Sequence, residues 1–126
     1  MNGEKREFDR VLTIKLASLS DLIRVVSSLA TAMQPTYLIA YRNSKGKYVL
    51  GFLAVFRDYY ELYGVPLFYY IVDDDPMIYE SKYVLVRVDE NGERIELSKS
   101  TRPGYIAIPV IHIEQAPPFL LPLDIE

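Results

Sequence analysis

The densest group of ionisable side chains in the chain is an acidic run, Asp73, Asp74 and Asp75, followed at once by Pro76. Carboxylate oxygens are the ligands that Mg²⁺ and Ca²⁺ prefer, so the run is a candidate metal site. Neighbouring side chains on an extended chain point in opposite directions, so at most two of the three converge unless the turn folds back. Aspartates before a proline also begin turns and are solvated there. Because the spacing of a calcium-binding loop is missing, the turn is the preferred interpretation.

The single histidine, His112, lies two residues before Glu114 on a predicted strand, which places both side chains on one face. A carboxylate beside an imidazole can orient it as a general base. However, the sequence offers no nucleophile of known position, and no serine lies in a G-x-S-x-G motif. We therefore predict no catalytic residue and expect a structural histidine at the end of a strand.

Composition excludes several other kinds of site. The chain has no cysteine, so disulfides, thiolate metal ligands and cysteine nucleophiles are excluded. Its six glycines are scattered singly and none opens a helix, which excludes a glycine-rich phosphate loop. We predict no cofactor.

Tyrosines are concentrated between residues 59 and 83, at Tyr59, Tyr60, Tyr63, Tyr69, Tyr70, Tyr79 and Tyr83. Aromatic rings on a sheet can stack on nucleic-acid bases, and tyrosines also enrich protein interfaces. The same stretch carries many more acidic than basic side chains, and this negative charge repels phosphate. Tyrosine also favours half-buried strand positions. We rank a structural role first, a protein interface second and nucleic-acid binding third.

Residues 116–126 form an apolar, proline-rich segment, which we predict to be an extended arm. Its prolines prevent a helix and discourage pairing inside a sheet. Burial of one large apolar side chain contributes roughly 1.5–3 kcal/mol, so the arm is expected to dock on its own domain or on another chain. The predicted partner-binding residues are Pro117, Pro118, Phe119, Leu120, Leu121 and Leu123.

One helix is predicted over residues 19–33. Apolar side chains recur there at three- and four-residue steps and share one face, at Leu19, Leu22, Ile23, Val26, Leu29, Ala30 and Met33. Ser18 or Ser20 can cap the start of the helix, and Pro35 prevents its continuation.

Strands are predicted over residues 7–16, 37–42, 47–56, 65–72, 82–88, 93–97 and 105–113. Polar turns that contain a glycine separate the second strand from the third and the fifth from the sixth, which predicts two hairpins. Both faces of the third strand are apolar, as in a central strand. The sixth strand has one polar, solvent-exposed face and is expected at an edge of the sheet. Pro109 cannot donate to a ladder, so the last strand is expected at an edge or a bulge.

These elements predict a single α+β domain over residues 1–126, with residues 1–6 frayed. The helix (about 19–33) is expected to pack on a mostly antiparallel sheet of six to seven strands, with the alternative that the sheet curls toward a barrel. Parallel neighbours need long crossovers. Only the first strand is therefore expected to pair in parallel.

The formal charge of −3 and the pI near 5.2 argue against non-specific binding to nucleic acid or to a membrane surface. Residues 1–10 lack the apolar stretch of a signal peptide. The longest uncharged run, residues 25–41, is too polar to span a bilayer. We expect a soluble protein of the cytoplasm, or of the host cytoplasm if the chain is viral.

Asparagine and glutamine are rare, at Asn2, Gln34, Asn43, Asn91 and Gln115, while cysteine and tryptophan are absent. Few thermolabile and many charged side chains are typical of heat-adapted proteins. In this respect the composition resembles that of small orphan proteins from hyperthermophilic archaea and their viruses. The resemblance rests on no motif and implies no residue role.

Three functional hypotheses follow. The first is a non-enzymatic protein that binds protein, most simply as a homo-oligomer, through the apolar arm, the tyrosine-rich sheet or an edge strand. The alternative is a metal-dependent enzyme centred on residues 73–75, with Asp58, Glu61 or Glu80 brought near by the fold. The third is nucleic-acid binding through short basic runs, which are Lys5, Arg6, Arg10 and Lys15, or Arg42, Lys45 and Lys47.

Overall fold

The computed structural model describes residues 11–29, 37–54 and 67–116. Within these ranges the chain forms seven strands and two helices. The strands are β1 (Leu12–Lys15), β2 (Leu38–Arg42), β3 (Tyr48–Ala54), β4 (Leu67–Asp73), β5 (Tyr83–Asp89), β6 (Gly92–Ser98) and β7 (Ile106–His112). The helices are α1 (Leu19–Leu29) and α2 (Met77–Glu80). Every predicted strand has a counterpart, whereas the short α2 was not predicted.

The strands lie in one open sheet, in the order β1-β4-β3-β2-β7-β5-β6. Four neighbouring pairs are antiparallel, while β1 with β4 and β2 with β7 are parallel. The α+β class is confirmed, but the sheet is mixed and does not close toward a barrel. As predicted, β6 lies at an edge, and the other edge is the four-residue β1.

The parallel pairing of β2 with β7 departs from the expectation that only the first strand pairs in parallel. Leu38 is opposite Val110, and the Ile113 N–H donates to the Ala40 carbonyl at 2.9 Å. Parallel neighbours need a long connection. The prediction was wrong because it looked for such a connection only between strands that follow one another in the sequence. Here β3 to β6 together supply that connection.

Pro109 lies inside the sheet, because β7 runs between β2 and β5 rather than at an edge. Pro109 is opposite Tyr83, and the next N–H, that of Val110, donates to the Lys82 carbonyl of the β5 side at 2.9 Å. Successive N–H groups of a strand point to opposite sides. The position without an N–H therefore faces β2, whose pairing with β7 begins one residue later. The proline interrupts no hydrogen bond between the residues of the ladder that the structure describes.

Helix α1 follows Ser18, whose Oγ accepts a hydrogen bond from the Asp21 N–H at 3.2 Å. This is the N-cap interaction predicted for Ser18. Leu22, Ile23 and Val26 are fully or almost fully buried against β3 and β4. The predicted residues 30–33 of this helix lie outside the described ranges.

Both helices lie on one face of the sheet, here called the helix face. Helix α1 packs on β3 and β4, and α2 packs on β2 and β3. Buried apolar side chains of all three strands fill this layer, with Ile78 of α2 among them. Neither helix has comparable contact with β5 or β6. Among the described residues, the two helices therefore cover one end of the helix face; at the other end Val84, Val86 and Ile108 are buried, while Val88 and Ile106 are exposed.

The opposite face carries a second buried cluster, made of Val11, Tyr41, Val49, Phe68, Tyr70 and Ala116. The rings of Phe68 and Tyr70 are stacked, with centroids 5.7 Å apart. The Phe68 ring also lies over Gly51, where a Cβ atom would come within 2.3 Å of the ring Cζ. Gly51 does not have a positive φ, so this position requires glycine for space and not for its backbone conformation.

No helix within the described ranges has the length and apolar character needed to cross a membrane.

Candidate functional site

The acidic run takes part in the turn between β4 and α2. The carboxylate of Asp73 accepts the Asp75 N–H at 2.9 Å, and that of Asp75 accepts the Met77 N–H at 2.9 Å. Asp74 lies 3.7 Å from the Nζ atom of Lys47. Across residues 11–29, 37–54 and 67–116, no three carboxylate or imidazole side chains form a group that could hold a metal ion. The described geometry thus supports the turn interpretation of the run.

His112 packs against Tyr79, with ring centroids 5.1 Å apart in a T-shaped arrangement. The Tyr79 hydroxyl donates to the Ile113 carbonyl at 3.4 Å, and its ring centroid lies 6.0 Å from that of Tyr48. Tyr79 therefore attaches α2 to β3 and β7. No hydrogen bond joins His112 to Glu114 in the part of the chain that the structure describes. These contacts indicate a packing role for the histidine.

The described tyrosines of the tyrosine-rich stretch do not form one platform. Tyr69 lies on the helix face and Tyr70 on the opposite face, where burial raises the pKa of the Tyr70 phenol. Tyr79 contacts the covered end of the sheet from α2. Because the rings are divided between two faces, a row of stacked bases finds no continuous surface here. Tyr59, Tyr60 and Tyr63 lie outside the described residues.

The predicted partner-binding residues of the arm, residues 117–123, also lie outside the described residues. Ala116, the residue before them, is buried in the cluster that contains Tyr41 and Phe68. The predicted contacts of the arm thus remain predictions.

Among the described residues, the most exposed large apolar side chains lie on the end of the helix face that is away from the helices. Val88 is 71% exposed and Ile106 is 69% exposed. Ile106 pairs with Val86 across β7 and β5, and Val86 pairs with Ile95 across β5 and β6. Leu97, half-buried, lies two residues further along β6. We call this group the apolar strip; it consists of the exposed Val88 and Ile106, the half-buried Ile95 and Leu97, and the buried Val86 between them.

The apolar strip ends at β6, which has a neighbour on one side only among the described strands. The Ser98 carbonyl accepts the Lys82 N–H on the side of β5. Residues of an antiparallel edge strand alternate between bonding inward and pointing outward. Glu93, Ile95 and Leu97 alternate with Ser98, so their N–H and C=O groups point away from the sheet. The apolar strip therefore borders backbone groups that pair with no strand in the described part of the chain.

The opposite face of this end is polar and centred on Tyr105. The guanidinium carbon of Arg102 lies 4.4 Å from the ring centroid, and that of Arg87 lies 5.6 Å from it. Arg102 forms an ion pair with Glu96. Arg94 is directly opposite Arg87 in the ladder, and no ion pair is formed by Arg94 with any described residue. Two like charges therefore face each other next to the edge, which is unfavourable, although Arg87 also pairs with Asp89 at 3.8 Å.

The pKa of Tyr105 is lowered from its ordinary value, first of all by the hydrogen bond with Arg87. Desolvation raises this pKa, whereas the positive charges of Arg102 and Arg87 lower it further. We expect the phenolate of Tyr105 to form at lower pH than an ordinary tyrosine. The difference in ultraviolet absorbance between the wild type and Tyr105→Phe, followed against pH, measures this titration. Arg87→Gln should move it back toward higher pH.

The sign of the accompanying stability effect is fixed by the lowered pKa. The folded state binds the phenol proton more weakly than the unfolded state does, so stabilisation by Tyr105 is complete above the unfolded pKa. It is lost as the pH falls through the folded pKa. An unchanged absorbance difference in Arg87→Gln would contradict the assigned cause.

Sequence analysis did not identify the apolar strip. The sequence does show apolar residues at every second position, Val86 and Val88 in β5 and Ile106 and Ile108 in β7. This pattern is typical of any strand with one buried face. Whether a helix covers that face depends on strand order, which the alternation does not contain. No protein-family model matches the chain, and no curated protein or solved structure shows significant similarity to it.

Proposed function

We propose that this chain is a non-enzymatic protein that binds protein, and first of all a second copy of itself, through the apolar strip and the β6 edge. The observation that carries the proposal is the exposure of Val88 and Ile106 near the β6 edge, whose outward backbone groups pair with no described strand. Exposed apolar patches mark interaction sites, and an uncovered edge strand is a template for another strand. Both features occur at the same end of this sheet.

The proposed contact is weak to moderate in strength. Full burial of one of these side chains contributes roughly 1.5–3 kcal/mol, and association itself costs several kcal/mol in lost freedom of motion. Backbone hydrogen bonds at the edge define orientation more than they add net energy. We therefore expect self-association in the micromolar to millimolar range, about −8 to −4 kcal/mol.

Two features of the sequence agree with this proposal. The apolar residues of the arm, residues 119–123, offer a further segment for contacts between copies. Oligomerisation is also one of the usual routes to stability at high temperature, which suits the heat-adapted composition.

The proposal is tested by light scattering coupled to gel filtration, from about 1 μM to about 1 mM protein. The wild type should increase in mass with concentration. Ile95→Glu should remain monomeric, because it places a charge where the strip meets the β6 edge. Leu12→Glu, at an exposed apolar position on the opposite edge, is the matched control and should behave as the wild type. A wild type that stays monomeric throughout would refute the proposal.

A further inference from the structure

We infer that two copies join by antiparallel pairing of their β6 strands about a two-fold axis that passes through Ile95. This inference rests on the proposed self-association and specifies its geometry. It follows from three properties of β6, which are the direction of its unpaired backbone groups, the faces of its side chains and the order of its charges.

The unpaired backbone groups of β6 define which residues can face each other. Glu93, Ile95 and Leu97 direct their N–H and C=O groups outward, since the Ser98 carbonyl bonds inward to Lys82. A two-fold axis at Ile95 places the two Ile95 residues opposite each other as a hydrogen-bonded pair, with Glu93 opposite the partner's Leu97. All three outward positions of both strands are then used. The two sheets become one continuous sheet.

The side chains keep their faces in this arrangement. Directly opposite residues of antiparallel strands point to the same face. Ile106, Val86 and Ile95 form one row across β7, β5 and β6. The axis joins this row to the same row of the second copy, so Ile95 meets the partner's Ile95 and the six apolar side chains form one continuous row.

The charges on the opposite face are complementary under the same axis. Arg94 meets the partner's Glu96, and the partner's Arg94 meets Glu96, which also pairs with Arg102 of its own copy. Arg94 has the like charge of Arg87 on its inner side, reduced by the Arg87–Asp89 ion pair, and no ion pair with any described residue. A carboxylate on its outer side relieves this repulsion. Opposite charges directly across strands are favourable, and like charges are not.

Shifts of the register are penalised. An axis at the neighbouring Arg94 would place Arg94 against Arg94, and an axis at Glu96 would place Glu96 against Glu96. A pairing shifted by a single residue would turn the apolar side chains of one strand to the polar face of the other. The charges of β6 thus favour one register over its neighbours by repulsion as well as by attraction.

A charge-exchange experiment tests this register. In Arg94→Glu, the carboxylates of one copy lie opposite carboxylates of the other. In Glu96→Arg, guanidinium groups lie opposite guanidinium groups. Each single variant is expected to self-associate about tenfold or more weakly than the wild type. An equimolar mixture of the two should form heterodimers, because each strand then meets its complement. The double variant Arg94→Glu/Glu96→Arg should self-associate again.

Cysteine cross-linking supplies an independent measurement, because the natural chain has no cysteine. Ile95→Cys should form an intermolecular disulfide under mild oxidation, since directly paired Cα atoms lie about 5.5 Å apart, within disulfide range. Val88→Cys is the matched control on the same face. From the strand spacings, its two copies would be roughly 20 Å apart, too far to be bridged.

The outcomes separate this inference from the proposed function. If the wild type self-associates and Ile95→Glu abolishes it, but the mixture does not recover association and Ile95→Cys does not cross-link, this register is wrong and self-association through the strip stands. Cross-linking of Val88→Cys in place of Ile95→Cys would overturn the register in favour of packing between the two strips. A monomeric wild type at all concentrations refutes both.

Discussion

Phe68→Ala is expected to lower the free energy of unfolding by about 3–5 kcal/mol. Its ring is completely buried, stacks on Tyr70 and fills the space above Gly51. Removal of the ring leaves a cavity between β3 and β4 that neighbouring side chains can only partly fill. Total stabilities are typically 5–15 kcal/mol, so this loss is a large share. Chemical denaturation monitored by circular dichroism measures it.

Gly51→Ala provides the matched partner for that experiment. In the wild type the new Cβ would approach the Phe68 Cζ to 2.3 Å, so the ring must move, at a cost of about 1–3 kcal/mol. In a Phe68→Ala background the same methyl group has room, and alanine is favoured over glycine in a strand by roughly 0.5–1 kcal/mol. The two changes should therefore be strongly non-additive. Additive losses would contradict the account of Gly51 as a space requirement.

Leu22→Ala is expected to cost about 2–5 kcal/mol of stability. Leu22 has no exposed surface and lies in the layer between α1 and the strands β3 and β4. The helix contacts the sheet through this face, so a cavity there weakens the attachment of the whole helix. Thermal or denaturant unfolding measures the change.

Leu12→Ala is the control for this prediction, because it makes the same chemical change at a side chain that is 46% exposed. The expected loss is roughly 1 kcal/mol or less, since little apolar surface leaves water at this position on folding. Equal losses in Leu12→Ala and Leu22→Ala would show that burial on the helix face does not determine the stability of the domain.

The strands and the first helix were predictable because their signals are local. The turn at Asn43 to Gly46 illustrates this. The Asn43 carboxamide oxygen accepts the N–H groups of Lys45 and Lys47, and Gly46 has a φ of 80°. Residue types that favour a turn therefore occupy the positions where the turn requires them. The same is true of Gly92, with a φ of 112°, in the second hairpin.

Strand order was not predictable, because it is decided by contacts between distant segments. The neighbours β2 and β7 are separated by four other strands along the chain. Pro109 shows how a local rule then fails. A proline is excluded from a central strand only where its missing N–H is needed, and the described ladder with β2 begins one residue after Pro109. Knowledge of the ladder was required to see this.

The candidate site was predictable only in part, for the same reason. The wet face of β6 and its edge position follow from its alternation, and both are found. The exposure of Val88 and Ile106 depends on where two helices stop on the sheet, which no local pattern encodes. Similarly, the acidic run reads as a metal site or a turn in the sequence. The hydrogen bonds of Asp73 and Asp75 favour the turn.

The two edges of the sheet are unlike, and this limits how far copies can be added. β6 is a seven-residue strand in an antiparallel hairpin, whereas β1 has four residues, pairs in parallel and ends at the exposed Lys15. A contact that joins β6 to β6 consumes that edge in both molecules and presents only β1 at the two outer ends. Such like-to-like contacts close on themselves, while head-to-tail contacts polymerise. The proposed pair is therefore a finite particle, protected by its own symmetry from growing into fibres.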